Sequence, residues 1–237
     1  MSLIEFRNVY FTYTGRNYIL EGVNLSMPER GIVCVVTEPG NGKSTFLKLI
    51  KGILLPTRGK VITLDIDTSR ADKEKMMQLH TKISIHFQDV FLISNIDIYT
   101  NLALPLLYNT NLSQKEIEYE VDKTLDLFDL KTLKYEMPFN LSLTEAKLVS
   151  ISRAFMRSPR IILLDEPFSF LDSYYKARLI EIMEENKTTS EIIFTTSDEI
   201  YTQNSEFVLY ILNEGISNKV CLLDKKTGEE KCFTSRS

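Results

Sequence analysis

No apolar run in this sequence approaches the thickness of a bilayer. The longest, such as Ile32 to Val36 and Ile161 to Leu164, fall far short of the roughly 20 residues that a transmembrane helix needs, so any membrane role is expected to run through a partner. A basic surplus is also missing: 28 lysines and arginines face 32 acids, and the net charge of -4 is spread without a strong block. That balance argues against a general nucleic-acid binder. Cysteine is scarce and odd in number. Cys34, Cys221 and Cys232 show no metal-ligand spacing, and Cys34 sits in an apolar run, which suits a reducing cytosol. No disulfide staple is expected, because 237 residues can bury a self-sufficient core. The two histidines, His80 and His86, are isolated and read as structural or exposed rather than catalytic. The opening MSLIEFRNVY lacks a basic leader followed by an apolar core and does not read as a secretory signal. Tryptophan is absent, and there is no internal repeat or low-complexity linker.

What remains is ordinary globular composition, 43% hydrophobic and 25% charged. Short β-rich runs open the chain at Ile4 to Tyr13 and Val23 to Met27, and Ile32 to Val36 reads as a buried strand bounded by Gly31 and Pro39. Phe46, Leu47, Leu49 and Ile50 then recur at helical spacing until Gly52 and Pro56. A strand follows over Gly59 to Ile66, a helix-prone stretch over Ala71 to Leu79, and an apolar run over Ile83 to Phe87. From Asp89 to about Pro138 the pattern is helical, with Ile117, Val121, Leu125 and Phe128 on one face and a capping box at Ser113 to Glu116. This reads as an inserted helical lobe. Helices at about Ser142 to Arg157 and Tyr174 to Asn186 alternate with strands at Ile161 to Leu164 and Glu191 to Thr195, followed by β-rich runs at Phe207 to Leu212 and Lys219 to Leu223 and a polar tail. A parallel sheet with helices packed on it is the economical fold.

Two motifs carry chemistry. TEPGNGKST, Thr37 to Thr45, follows a strand and opens a helix, the context that makes a phosphate-binding loop specific. Gly40 and Gly42 let backbone N–H groups converge on phosphate oxygens, Lys43 adds positive charge, and the helix N-terminus adds its dipole. Ser44 is placed to offer a hydroxyl to Mg2+. The usual first glycine is replaced by Thr37, which makes that end of the loop less permissive. A glycine turn capping a helix is the plainer alternative. Some 120 residues on, the strand Ile161 to Leu164 ends in Asp165 and Glu166, two carboxylates at the carboxyl edge of the sheet, where such folds bind ligands. Asp165 is expected in the Mg2+ shell and Glu166 to orient or activate the water that displaces a γ-phosphate. Asp-Glu-Pro can also simply end a strand.

In this order the motifs resemble those of ATP-binding subunits of ABC transporters, from about Leu3 to about Ile216. The resemblance implies that Tyr13, in FTYTG, stacks on adenine. It implies that Gln88, in HFQD, reaches Mg2+ and couples to the membrane partner, and that Phe170 to Asp172 forms the loop after the carboxylates. Tyr13 as a sheet-packing aromatic and Gln88 as a loop amide are the bland alternatives. It further implies an α/β fold: a P-loop NTPase-type parallel sheet core with an N-terminal antiparallel β part and an inserted helical subdomain. The chain reads as a single ATP-binding domain over 1–237, with the lobe at about 89–158. ATP contacts are expected from Tyr13, Thr37, Glu38, Pro39, Gly40, Asn41, Gly42, Lys43, Ser44, Thr45 and Gln88, metal contacts from Ser44, Gln88 and Asp165, and catalysis from Glu166.

Two family elements are altered. Where relatives carry LSGGQ this chain has LSLTE: Ser142 stays, but Leu143, Thr144 and Glu145 replace two glycines and an amide. This segment meets the γ-phosphate bound by the opposite subunit in the family, so leucine is expected to obstruct the approach and glutamate to repel phosphate. The position of the switch histidine holds Ser197, which can hydrogen-bond a phosphate but carries no imidazolium charge. An identical partner would place every defect in each composite site, whereas a different partner with an intact signature would divide them.

Asn101 to Val121 resembles the helical lobe of subunits serving Mla or Mce lipid transporters, and Ala146 and Lys147 fit that group as well. The lipoprotein-releasing and cell-division groups share much of the pattern. The expected role is an ATP-binding subunit, peripheral on the inner face of the cell membrane. It would pair with a transmembrane permease and a second ATP-binding subunit and couple ATP, with slow hydrolysis, to movement of a cargo such as lipid. The alternatives are a catalytically weak regulatory or structural subunit complementing an active partner, and a soluble cassette unrelated to transport.

Overall fold

The computed structural model describes residues 3–27, 29–213 and 218–233. The expected end of the resemblance at Ile216 and the last of the polar tail lie outside them. Three runs that read as strands form the middle of one sheet: β3 (Gly31–Val36), β7 (Ile161–Leu164) and β8 (Glu191–Thr196), with every residue buried. Continuous burial is what a parallel sheet covered on both faces requires. β6 (Ile83–His86) pairs parallel to β7, and β9 (Phe207–Asn213) pairs parallel to β3. β10 (Asn218–Asp224) and β11 (Glu230–Phe233) extend the far side antiparallel, giving the order β11-β10-β9-β3-β8-β7-β6.

A second, antiparallel sheet runs β2-β1-β4-β5, from β1 (Ile4–Phe11), β2 (Leu20–Ser26), β4 (Arg58–Thr63) and β5 (Ile66–Asp67). The run read as one strand over Gly59 to Ile66 is two. Leu64 and Asp65 adopt φ of 50° and 63°, the consecutive left-handed pair that closes a tight hairpin.

Period-two alternation sorts the strand side chains onto two cores. Val33, Val35, Leu163 and Ile193 face one core, which holds the antiparallel sheet and α1 (Lys43–Ile50), where Phe6 stacks on Phe46 at 4.9 Å. Ile32, Cys34, Val36, Leu164 and Phe194 face the other, which holds the remaining long helices. The polar helix α2 (Lys73–Lys82) packs beside β6. The lobe contains α3 (Ile98–Asn109) and α4 (Gln114–Leu127), the latter opened by the expected Ser113–Glu116 capping box. Two helices return to the sheet, α5 (Leu143–Phe155) and α6 (Ser173–Asn186).

One expectation is corrected at the C-terminal end. Cys221 and Cys232 stand directly opposite each other on β10 and β11 and form a disulfide, leaving Cys34 as the free, buried thiol. The spacing in sequence hid the pairing because it arises from the register of a hairpin, and β11 sits in a stretch read as a polar tail.

Candidate functional site

The glycine loop leaves the carboxyl end of β3 and enters α1. Gly40 and Gly42 hold φ of 87° and 98°, left-handed values that only glycine adopts without strain. A Cβ on Gly42 would clash with Ile19 Cγ2, so the loop rests against the residue that leads into β2, while a Cβ on Gly40 would meet nothing within 4 Å. Thr37, where the usual glycine is missing, is not among the positive-φ residues; it is buried, and its N–H bonds Thr196 O at 3.4 Å. Threonine here therefore carries no left-handed backbone strain, while its buried Oγ1 has no hydrogen-bond partner among the described residues.

The other site groups come from the ends of neighbouring strands. Ser44 Oγ donates to Asp165 Oδ2 at 2.5 Å, and Thr195 Oγ1 donates to Asp165 Oδ1 at 2.7 Å. Lys43 Nζ is shared among Thr37 O (3.1 Å), Ser197 Oγ (2.6 Å) and Glu166 Oε1 (3.1 Å). Ser197 Oγ in turn donates to Glu166 Oε1 at 2.8 Å. The position expected to hold a switch histidine thus bridges the loop lysine and the proposed catalytic carboxylate. Glu166 itself sits at φ 48°, a left-handed conformation that costs on the order of 1–3 kcal/mol for a non-glycine residue.

A cleft of about 440 Å³ is lined by Tyr13, Pro39, Gly40, Gly42, Lys43, Ser44, Thr45, Gln88, Glu166 and Ser197, with Ile19 as a wall. Tyr13 is 61% exposed there, and its hydroxyl shares a 3.0 Å hydrogen bond with that of Thr45. Of the expected contacts, Glu38 and Asn41 do not line the cleft and bond each other, Asn41 N to Glu38 O at 3.2 Å; Thr37 contributes only its carbonyl to Lys43. Ser44 and Gln88 also line an adjoining cleft of about 310 Å³ with Asp165, Lys48, Phe87 and Phe91.

The residues fit a magnesium nucleotide. Left-handed glycines and a helix N-terminus make a cradle for phosphate, and the touching hydroxyl of Ser44 and carboxylate of Asp165 are the hard oxygen donors that suit Mg2+.

The altered signature lies apart from this cleft. Leu143 is 81% exposed at the first turn of α5. Glu145 does not project outward: its Oε2 accepts from Ser142 N at 2.8 Å and Ser142 Oγ at 2.7 Å, while Glu145 N donates back to Ser142 Oγ at 3.3 Å. These bonds, the Ser142 hydroxyl first and its N–H second, hold the carboxyl below its ordinary range. Ser-x-x-Glu before an apolar run is the sequence signature of this box, and the lowered pKa keeps the carboxylate charged. Thr144 Oγ1 donates to Phe170 O at 3.1 Å, tying the segment to the loop after the carboxylates.

His86 is buried, its Nδ1 is 2.9 Å from Ser150 Oγ, and burial, reinforced by Lys147 and Arg153, depresses its pKa to about 3. The lobe is pinned to the segment after Gln88 by Asn101, fully buried. Its Nδ2 donates to the carbonyls of Ile93, Ile96 and Asp97 at 3.1 Å, and its Oδ1 accepts from Ile93 N at 2.8 Å. Arg153 adds a 2.6 Å bond to Phe91 O.

A glycine loop opening a helix, with carboxylates and hydroxyls converging from the carboxyl ends of adjacent parallel strands, defines a phosphate-loop nucleotide-binding domain. Residues 20–169 match the ABC transporter family, and the chain belongs to it as an ATP-binding domain. It is 30% identical over 214 residues to the cell division ATP-binding protein FtsE of Escherichia coli (strain K12), covering 90% of this chain and 96% of that protein. It is also 30% identical over 240 residues to the methionine import ATP-binding protein MetN of Clostridium acetobutylicum, covering 99% of this chain and 72% of that one. Among solved structures, the dimeric post-hydrolysis state of the ATP-binding cassette MJ0796 with ADP and Pi superposes with a TM-score of 0.81 at 27% identity, over 87% of this chain and 93% of that one.

Proposed function

We propose that this chain is the ATP-hydrolysing subunit of a membrane transport or membrane-remodelling assembly, peripheral on the inner face of the membrane through a permease partner and active as a dimer of cassettes. The observation that carries the reading is the convergence of Lys43, Ser44, Asp165, Glu166 and Ser197 in one cleft. Among the described residues no helix is long and apolar enough to cross a membrane, which leaves attachment to a partner. Dimeric relatives such as MJ0796 support the paired state. A lipid cargo rests on the resemblance of Asn101 to Val121 and of Ala146 and Lys147; the relatives named above are a cell-division and a methionine-import protein.

In the resting arrangement Lys43 neutralises Glu166. Phosphate entering the glycine loop competes for the Lys43 ammonium, and the Glu166 carboxylate, released from that pair, becomes the acceptor that orients water. Ser44 and Asp165 would hold Mg2+, which supplies charge neutralisation on the phosphates. Tyr13 offers its exposed ring to the base. Ser197 keeps a hydroxyl between Lys43 and Glu166, a hydrogen-bonding contact without a titratable ring.

The test is phosphate release by the chain, alone and with its membrane partner, with and without Glu166→Gln. The expected result is Mg2+-dependent release that falls on the order of a hundredfold in the variant. Equal release in the two would overturn the hydrolytic role and leave a nucleotide-binding subunit of regulatory type.

A further inference from the structure

The turn that presents Glu166 is an unlikely piece of backbone to stand unaided. Glu166 and Phe170 are both left-handed, at φ 48° and 63°, and two backbone bonds inside the turn are long: Ser169 N to Glu166 O at 3.3 Å and Leu171 N to Phe168 O at 3.5 Å. One cation fastens it. Lys147, one turn into α5 and 2% exposed, donates from Nζ to Glu166 O at 2.8 Å and to Ser169 Oγ at 2.5 Å, and the same ammonium lies 5.7 Å from the centre of the Phe170 ring. No carboxylate forms an ion pair with it among the described residues, so its hydrogen bonds are spent on the turn.

We infer that Lys147 is a positioning residue for hydrolysis: its ammonium fixes the strained turn after β7 so that the Glu166 carboxylate points into the nucleotide cleft. This rests on the hydrolytic reading of Glu166. A buried cation is costly to place, and here its bonds end on the main chain of the proposed catalytic residue and on the hydroxyl three residues later. Ser169 Oγ, itself 2.9 Å from Glu166 O, closes the arrangement. Lys147 does not itself line the cleft and meets it only through the main chain of Glu166, so it acts on the orientation of Glu166 and not on nucleotide affinity.

The test compares Lys147→Met, Lys147→Gln and Lys147→Arg, reading kcat for MgATP, the Kd for ATP, and amide hydrogen exchange across residues 166–171. Lys147→Met is expected to lower kcat by about tenfold or more while Kd stays within about twofold. Lys147→Arg or Lys147→Gln, which keep an N–H donor, should recover much of the loss. A Met variant with wild-type kcat, a matched loss of ATP affinity, or donor variants as slow as Met would each overturn the inference. Should the wild-type chain show no Glu166-dependent release, the hydrolytic reading fails by itself and the exchange data decide the link. Faster exchange of the turn in Lys147→Met sustains the anchoring, and unchanged exchange removes it.

Discussion

Glu191, the first residue of β8, is an acid buried to 1% exposure in the middle strands of the sheet. Burial pushes its pKa from 4.5 up to about 8, with the Arg30 backbone pulling the other way and Glu206 and Glu29 adding to the rise. A raised carboxyl pKa means that between these values the folded chain keeps a proton the unfolded chain has lost, so stability falls as pH rises from about 4.5 toward 8. Glu191→Gln should therefore raise Tm at pH 8 by roughly 4–8 °C, corresponding to about 2 kcal/mol, and the gain should vanish near the ordinary carboxyl pKa. Thermal melts of both proteins across that range check it; a pH-independent difference would remove the charge from the explanation. At the same scale, the phosphate loop and the pair Asp165–Glu166 were readable because each is contiguous in sequence. Ile19 against Gly42 and Lys147 on Glu166 were not, because neighbours 23 and 19 positions apart meet only once the sheets and helices pack.

Among the elements, those with strong periodicity or a cap were legible, and those set by pairing register were not. α4 was announced by its capping box, and β3 and β7 by their unbroken apolar runs. β11 was missed because Glu230 to Phe233 is short and mostly exposed, gaining its place from pairing with β10. The disulfide across that hairpin spans a sequence separation of 11, for which loop-closure entropy gives about 2–3 kcal/mol. Denatured without reductant, the chain should expose one reactive thiol, Cys34, and three after reduction. Cys232→Ser should lower stability by about that amount. Three thiols before reduction would refute the pairing.

Over the whole molecule, the nucleotide groups follow β3, β6, β7 and β8, neighbours or near neighbours in a single sheet, so one rigid platform carries them. The fold class was readable from the alternation of strands and helices, whereas the placing of Ile19, just before β2, against the glycine loop was not. The other half of a working site is expected from a second cassette. In Glu166→Gln, where slowed turnover is expected to let the ATP-bound state accumulate, MgATP should convert the chain from monomer to dimer in light scattering. An ATP-saturated monomer, with the partner cassette absent, would mean that Leu143 and the closed Ser142–Glu145 box prevent self-pairing and that the mate is a different chain.

Asn101 gives this platform a mechanical property. A slack cord carries tension only, while a rod carries push and pull alike. Four hydrogen bonds from one side chain bind Ile93, Ile96 and Asp97 to the first turn of α3, and Arg153 clamps Phe91 from the other side. The stretch from Phe91 to Asp97 is thereby a strut held to α3 at one end and to α5 at the other, and a displacement of α3 in either direction carries it along.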